Sequence, residues 1–157
     1  MQCLNSFRRF HAKSWTERRR LVEAALLLTL MRAAVFLFSF QRIASWLRLV
    51  QRSGPSPTRP INDDVAAEIG RSVVTAAARI PWSTCLTQTL ATAAMLRRRS
   101  IPSTLYLGIA KDKNGICAHA WIRCGDVILT GAKGHERFAI ISSFTVSEYG
   151  LMDAASR

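Results

Sequence analysis

The hydrophobic period of this chain changes at Pro102. Before it, apolar residues recur three and four positions apart; after it, they fall into short runs separated by turn signals. Helices followed by an antiparallel sheet satisfy that order, which predicts an α+β fold. The 157 residues fit one domain with a helical extension, and 49% hydrophobic residues are enough for a core.

Ser14-Trp15-Thr16-Glu17 has the form of a capping box. It opens a helical stretch rich in Ala and Leu, expected from Trp15 to Leu49. Two nearly uncharged blocks lie inside it, Ala24 to Met31 and Ala33 to Gln41, with Arg32 between them and Glu23 and Arg42 at their ends. A membrane-spanning helix needs ~20 apolar residues without such interruptions. The stretch is therefore expected to face a core, a partner or a membrane surface. Residues 51–60 read QRSGPSPTRP, a loop composition. The expected organisation is a basic, apolar helical segment over 1–54, a linker over 55–62 and a core over 63–157.

Within that core, Asn62 or Asp63 can cap a helix running to Ala78, with Val65, Ile69 and Val73 at helical spacing. Ser83 or Thr84 can cap a second, from Cys85 to Arg99. Leu86, Leu90, Ala93 and Ala94 form its apolar face; Cys85, Gln88, Thr89 and Thr92 form a more polar one. Beyond Pro102, strands are expected over Thr104–Ala110, Ile116–Arg123, Val127–Leu129 and Phe138–Phe144. Asn114-Gly115 and Gly125-Asp126 supply the turns.

The net charge of +12, from 22 basic and 10 acidic residues, favours an acidic partner of some kind. The runs Arg18-Arg19-Arg20 and Arg97-Arg98-Arg99 lack any accompanying zinc finger or RNA-binding aromatic motif, so nucleic acid is not expected as a partner. No apolar run with a small-residue cleavage site follows Met1. The expected location is cytoplasmic, and Cys3, Cys85, Cys117 and Cys124 are expected to be reduced.

Two residues draw attention as chemistry. Cys85 falls at a predicted helix N-terminus, where unpaired N–H groups and the helix dipole favour a thiolate. His119 lies on a predicted strand and shares a face with Cys117, Trp121 and Arg123. A cysteine at a helix start with a histidine on a sheet is a nucleophile–base arrangement. Each residue taken alone has an ordinary structural reading. Asp126, in the turn after the histidine strand, is the nearest acid able to orient the ring; a turn aspartate needs no such role. Cys117, His119 and Cys124 could supply three zinc ligands, but the two cysteines have opposite strand parity and no C-x-x-C pair exists, so zinc is not expected. No cofactor is expected in this chain.

The stretch from Pro81 to Leu129 resembles the core of the transglutaminase-like leader peptidases of lasso-peptide biosynthesis. The resemblance rests on Cys85-Leu86 with Gln88 opening a helix, arginines closing it, Leu105-Tyr106-Leu107-Gly108, and Ala118-His119-Ala120-Trp121. The N-terminal ERRRLVEAALLLTL is also similar. The resemblance implies a papain/transglutaminase-like core with a cysteine helix on an antiparallel sheet. It implies Cys85 as nucleophile, His119 as base, and removal of the leader from a ribosomally made precursor peptide. Gln88 would assist at the oxyanion. It further implies an ATP-dependent cyclase acting on the freed product and, since this chain shows only a basic apolar stretch where related fused proteins carry a recognition domain, a separate leader-binding protein. Two positions depart from the family. Ser100 stands where a glycine is usual. Thr130-Gly131 stands about a dozen residues after the histidine, where the family often has its acid. Asp126, a backbone carbonyl, or a dyad without a third group can each answer that gap. The rival reading is a non-catalytic membrane-surface or scaffold protein, with residues 15–50 as the contact.

Overall fold

The structure, a computed structural model, describes residues 14–52, 64–113 and 115–146. In the described residues, helix α1 (Trp15–Leu37) is opened by the expected capping box. Ser14 Oγ accepts the Glu17 N–H and the Glu17 carboxylate accepts the Ser14 N–H. Ala24 and Leu28 on its inner face are buried against α3 (Asp64–Ala77) and α4 (Cys85–Arg97). The helix does not continue to Leu49. Phe38 and Ser39 are extended, and a separate α2 (Phe40–Trp46) follows. The break sets Phe38 edge-on to Trp46 and Phe40 edge-on to Phe144, and it lets Ile43 and Leu47 join the core.

Strand β1 (Leu49–Arg52) was not anticipated. It pairs antiparallel with β5 (Ala139–Val146), Leu49 opposite Val146 and Arg52 opposite Ser143. Residues 15–52 thus supply two helices and an edge strand to the core and sheet that the later residues build. The expected linker 55–62 and the candidate caps Asn62 and Asp63 lie outside the described residues.

Charged groups tie the helices together. Arg20 pairs with Glu68, joining α1 to α3. Glu23 accepts from Arg99 at 2.7 Å and pairs with Arg98 at 3.1 Å, joining α1 to the end of α4. Arg97 donates to the Trp46 carbonyl at 2.8 Å. Burial pushes the Glu23 carboxyl upward. The Arg99 hydrogen bond and the charges of Arg99, Arg98 and Arg19 outweigh it and hold the group below the usual carboxylate range.

The α4 helix is central, and from Thr87 to Leu96 most of it is fully enclosed. Thr89 and Thr92, expected on a more polar face, are buried with the rest. Thr92 meets the requirement of a buried hydroxyl locally, by donating to the Gln88 carbonyl at 2.8 Å. On α3, Ala66, Ile69, Gly70 and Val73 are buried, whereas Val65 lies exposed.

The sheet has the order β1-β5-β2-β3-β4, with β2 (Ser103–Asp112), β3 (Gly115–Cys124) and β4 (Val127–Thr130) joined in sequence. Gly115 has φ +121°, in keeping with a tight reversal between β2 and β3; Asn114 lies outside the described residues. Leu105 pairs with both Ile122 and Phe144, and with Val146 these side chains meet the helices. Alternation turns Tyr106, Trp121 and His119 to the other face.

Candidate active site

Cys85 is the first residue of α4. Of the two expected caps, Thr84 is the one used: its Oγ1 accepts the Thr87 N–H at 3.3 Å, while Thr87 Oγ1 accepts the Thr84 N–H at 2.9 Å. This box consumes two of the helix's orphan donors. The N–H groups of Cys85 and Leu86 remain without a partner among the described residues. Two free donors therefore sit beside a partly exposed thiol, which itself makes no hydrogen bond among the described residues. Trp82, about half exposed, precedes the thiol by three residues. Gln88 lies one turn further along, half-buried, with its carbonyl taken by Thr92.

His119 is held from several sides. Its ring stacks with Trp121 at 5.9 Å between centroids and meets Phe138 at 4.9 Å. Trp121 stacks in turn on Tyr106 at 5.6 Å. Gly108 lies directly opposite His119 on β2, and a Cβ there would come within 2.9 Å of both Trp121 and Phe138. The glycine leaves the space that the two aromatic walls occupy.

His119 Nε2 lies 2.8 Å from the Gly131 carbonyl oxygen. A carbonyl only accepts, so Nε2 carries the proton in this contact. The Nδ1 of the neutral ring is then a lone pair, and it has no hydrogen-bond partner among the described residues. The contact thus selects one tautomer and assigns the basic nitrogen.

Gly131 has φ +77°, and a Cβ at that residue would lie 2.4 Å from the Ala120 carbonyl oxygen and 2.8 Å from Trp121 Cβ. Only glycine meets both the backbone conformation and the close approach. The residue occupies the place twelve positions after His119 where an acid was sought.

Asp126 lies elsewhere. Its carboxylate is largely exposed and 3.6 Å from Arg123 Nη2, and the hydrogen bond to the His119 ring comes from Gly131. Cys117 Sγ donates to the Ala110 carbonyl and Cys124 Sγ to the Pro102 carbonyl. No group of three or more His, Cys, Asp or Glu side chains among the described residues is arranged to hold a metal. A groove between α3 and β4, lined by Arg71, Val74 and Leu129 among others, includes neither Cys85 nor His119.

The helix carrying Cys85 packs on β3 at its Ile122 face, and His119 stands on the opposite face of that strand. No hydrogen bond joins the two side chains. Cys85, His119 and Gln88 had been singled out in the sequence. Gly131 marks the family's acid position and Gly108 belongs to the Leu105-Tyr106-Leu107-Gly108 motif, but neither they nor Phe138 are sequence candidates for enclosing the ring. The spacing to residue 131 points to the right place, and of the three answers to the missing acid the backbone carbonyl is the one that meets the ring.

No curated protein and no solved structure matches the chain. Residues 27–143 match the Transglutaminase-like superfamily, whose members are generally cysteine-dependent enzymes. The match begins inside α1 and ends within β5, so it spans both the helical layer and the sheet, and the chain belongs to the transglutaminase-like superfamily.

Proposed function

We propose that this protein is a cysteine peptidase that removes the leader from a lasso-peptide precursor, with Cys85 as nucleophile and His119 as general acid and base. The observation that carries the reading is the 2.8 Å contact between His119 Nε2 and the Gly131 carbonyl. It leaves Nδ1 as the nitrogen available to a thiol, and it supplies ring orientation at the position where the leader peptidases that this chain resembles often have an acid. The free N–H groups beside Cys85 support the same reading.

In the proposed reaction, Nδ1 takes the Cys85 proton and the thiolate attacks the carbonyl carbon at the leader–core junction. The N–H groups of Cys85 and Leu86 receive the oxyanion, with the Gln88 side chain as a further donor. The C–N bond breaks as His119 gives its proton to the leaving core amine. The leader remains as a thioester on Sγ. His119 then removes a proton from water, hydroxide adds to the thioester, and the leader acid departs with the thiol restored. The reaction requires the thiol and Nδ1 to meet in the substrate complex, where catalytic contacts that are long or unaligned in the free protein often tighten. A separate leader-binding protein presents the precursor, and an ATP-dependent cyclase takes the freed core. No cofactor enters these steps.

The test is cleavage of the cognate precursor by purified protein with its leader-binding partner, read by mass spectrometry. Cys85→Ala is expected to abolish cleavage with an unchanged melting temperature, while Cys117→Ala remains active. Cleavage by folded Cys85→Ala at the wild-type rate would falsify the assignment. The second reading, a non-catalytic surface or scaffold protein, is favoured by the exposed apolar side chains of α1. Rapid alkylation of Cys85 at neutral pH, lost in His119→Ala, separates the two.

A further inference from the structure

The outer face of α1 carries an apolar ridge. Trp15, Val22, Leu26, Leu30 and Leu37 recur at intervals of seven, four, four and seven residues and are all exposed, Leu26 by 61% and Leu37 by 67%. Phe36 beside them is 84% exposed. The 23-residue helix extends this ridge over ~34 Å. Exposed Trp46 on α2 and Val50 on β1 follow it in the chain. The inner face is already used against α3 and α4, and no element among the described residues accounts for the outer one. An apolar surface of this extent marks a contact surface.

The charge around the ridge selects the partner. Residues 24–62 contain no Asp or Glu. Arg19, Arg32, Arg42 and Arg48 are all exposed along α1, α2 and the turn that follows. A second copy of this chain would bring the same positive field to the contact and be repelled by it. An anionic surface is attracted. The ridge is the convex side of a helix, so a rigid protein partner would need a long matching groove, whereas the interface of a bilayer conforms to a cylinder lying in its plane. Trp and Phe near the two ends of the ridge, with arginines able to extend their charged heads toward lipid phosphates, suit that interface.

We infer that the outer face of α1, continued by Trp46, is a docking surface for an anionic lipid bilayer, on which the helix lies in the plane of the headgroups. No helix among the described residues is long and apolar enough to cross a membrane, so the contact is peripheral.

The experiment is co-sedimentation of the full chain with vesicles of phosphatidylglycerol and phosphatidylcholine, against vesicles of phosphatidylcholine alone. The expected result is binding to the anionic vesicles that weakens when salt rises from about 0.1 to 1 M and the Debye length shrinks from about 10 to 3 Å. The Leu26→Glu/Phe36→Glu double variant is expected to bind at least about tenfold more weakly, since two anchors are lost from the interface. Both residues are exposed, so its circular dichroism melt is expected to match wild type. Arg32→Glu/Arg42→Glu is expected to lose the preference for anionic vesicles while leaving the apolar ridge intact. Failure of the wild-type chain to sediment with anionic vesicles, or equal sedimentation of the folded Leu26→Glu/Phe36→Glu variant, overturns the inference and assigns the ridge to a protein partner. A stable wild-type dimer in light scattering that the same variant dissociates overturns it in favour of a second copy.

Discussion

Gly131→Ala probes the candidate site through the backbone. The substitution places a Cβ 2.4 Å from the Ala120 carbonyl oxygen, where no real Cβ can remain, and the obstacle is backbone rather than the end of a flexible side chain. It also asks an L-residue to hold φ +77°. The left-handed conformation alone costs roughly 1–2 kcal/mol. Relief of the clash requires β3 and the segment after β4 to move apart, which loosens the carbonyl that holds His119. A hydrogen bond of this kind contributes about 1 kcal/mol net. Together these give a loss of roughly 2–4 kcal/mol, a fall in melting temperature on the order of 10 °C for a domain of this size. The functional consequence is separable from the loss of stability. A ring released from Gly131 can adopt either tautomer, so the rate of Cys85 alkylation should fall well below that of wild type at temperatures where both proteins are fully folded. The two assays are a circular dichroism melt and iodoacetamide labelling followed by intact mass. An unchanged melt would refute the steric argument. A destabilised protein with undiminished Cys85 reactivity would refute the claim that Gly131 positions the histidine.

His119→Ala should reduce precursor cleavage nearly as far as Cys85→Ala, and the double variant should be little worse than either, because members of one catalytic unit lose activity non-additively; rate losses that multiply would show separate roles. Asp126→Asn should change cleavage by less than about threefold, since its carboxylate meets Arg123 near the surface and such pairs contribute about 0–1 kcal/mol; a loss as deep as that of His119→Ala in a folded protein would make Asp126 the third catalytic member. Glu23→Gln should destabilise the fold by roughly 1.5–3 kcal/mol at neutral pH, the range of hydrogen bonds to charged groups. The Glu23 carboxyl titrates below its ordinary value, so its contribution is fully present above the unfolded value near ~4.3 and fades as pH falls through the lower folded one. Melts from neutral to acid pH should therefore show a shallower acid limb for Glu23→Gln, and parallel curves would count against the α1–α4 tie.

The helices and the four strands beyond Pro102 were legible because their signals are local. The capping box at Ser14, the helix start at Cys85 and the turn at Gly125 each need only a few neighbouring residues. The break at Phe38 and the strand β1 were not legible. Ala and Leu favour a continuous helix through that region, and what ends it is the set of contacts that Phe38, Phe40 and Ile43 make in the folded core. Likewise Leu49–Arg52 becomes a strand because β5 offers it an edge from nearly a hundred residues away. Burial of Thr89 and Thr92 was hidden for the same reason: residue type suggested polarity, while the central place of α4 between sheet and helices decided the outcome.

The gap in the expected triad has a related explanation. A backbone carbonyl is one of the answers the sequence allows, but residue type cannot say which carbonyl serves, because every residue possesses one. At position 131 the two facts are linked. The chain leaves β4 and passes so close to Ala120 and Trp121 that no side chain fits, and the same passage brings the Gly131 carbonyl to His119. An aspartate could not be restored here, because its Cβ would meet the Ala120 oxygen before its carboxylate reached the ring. The carbonyl fixes tautomer and orientation as an acid would, but it brings a dipole where the acid brings a full charge to the imidazolium. In the proposed enzyme, the remaining stabilisation of charge is assigned to the helix end that carries Cys85, where the N–H groups of Cys85 and Leu86 have no partner among the described residues.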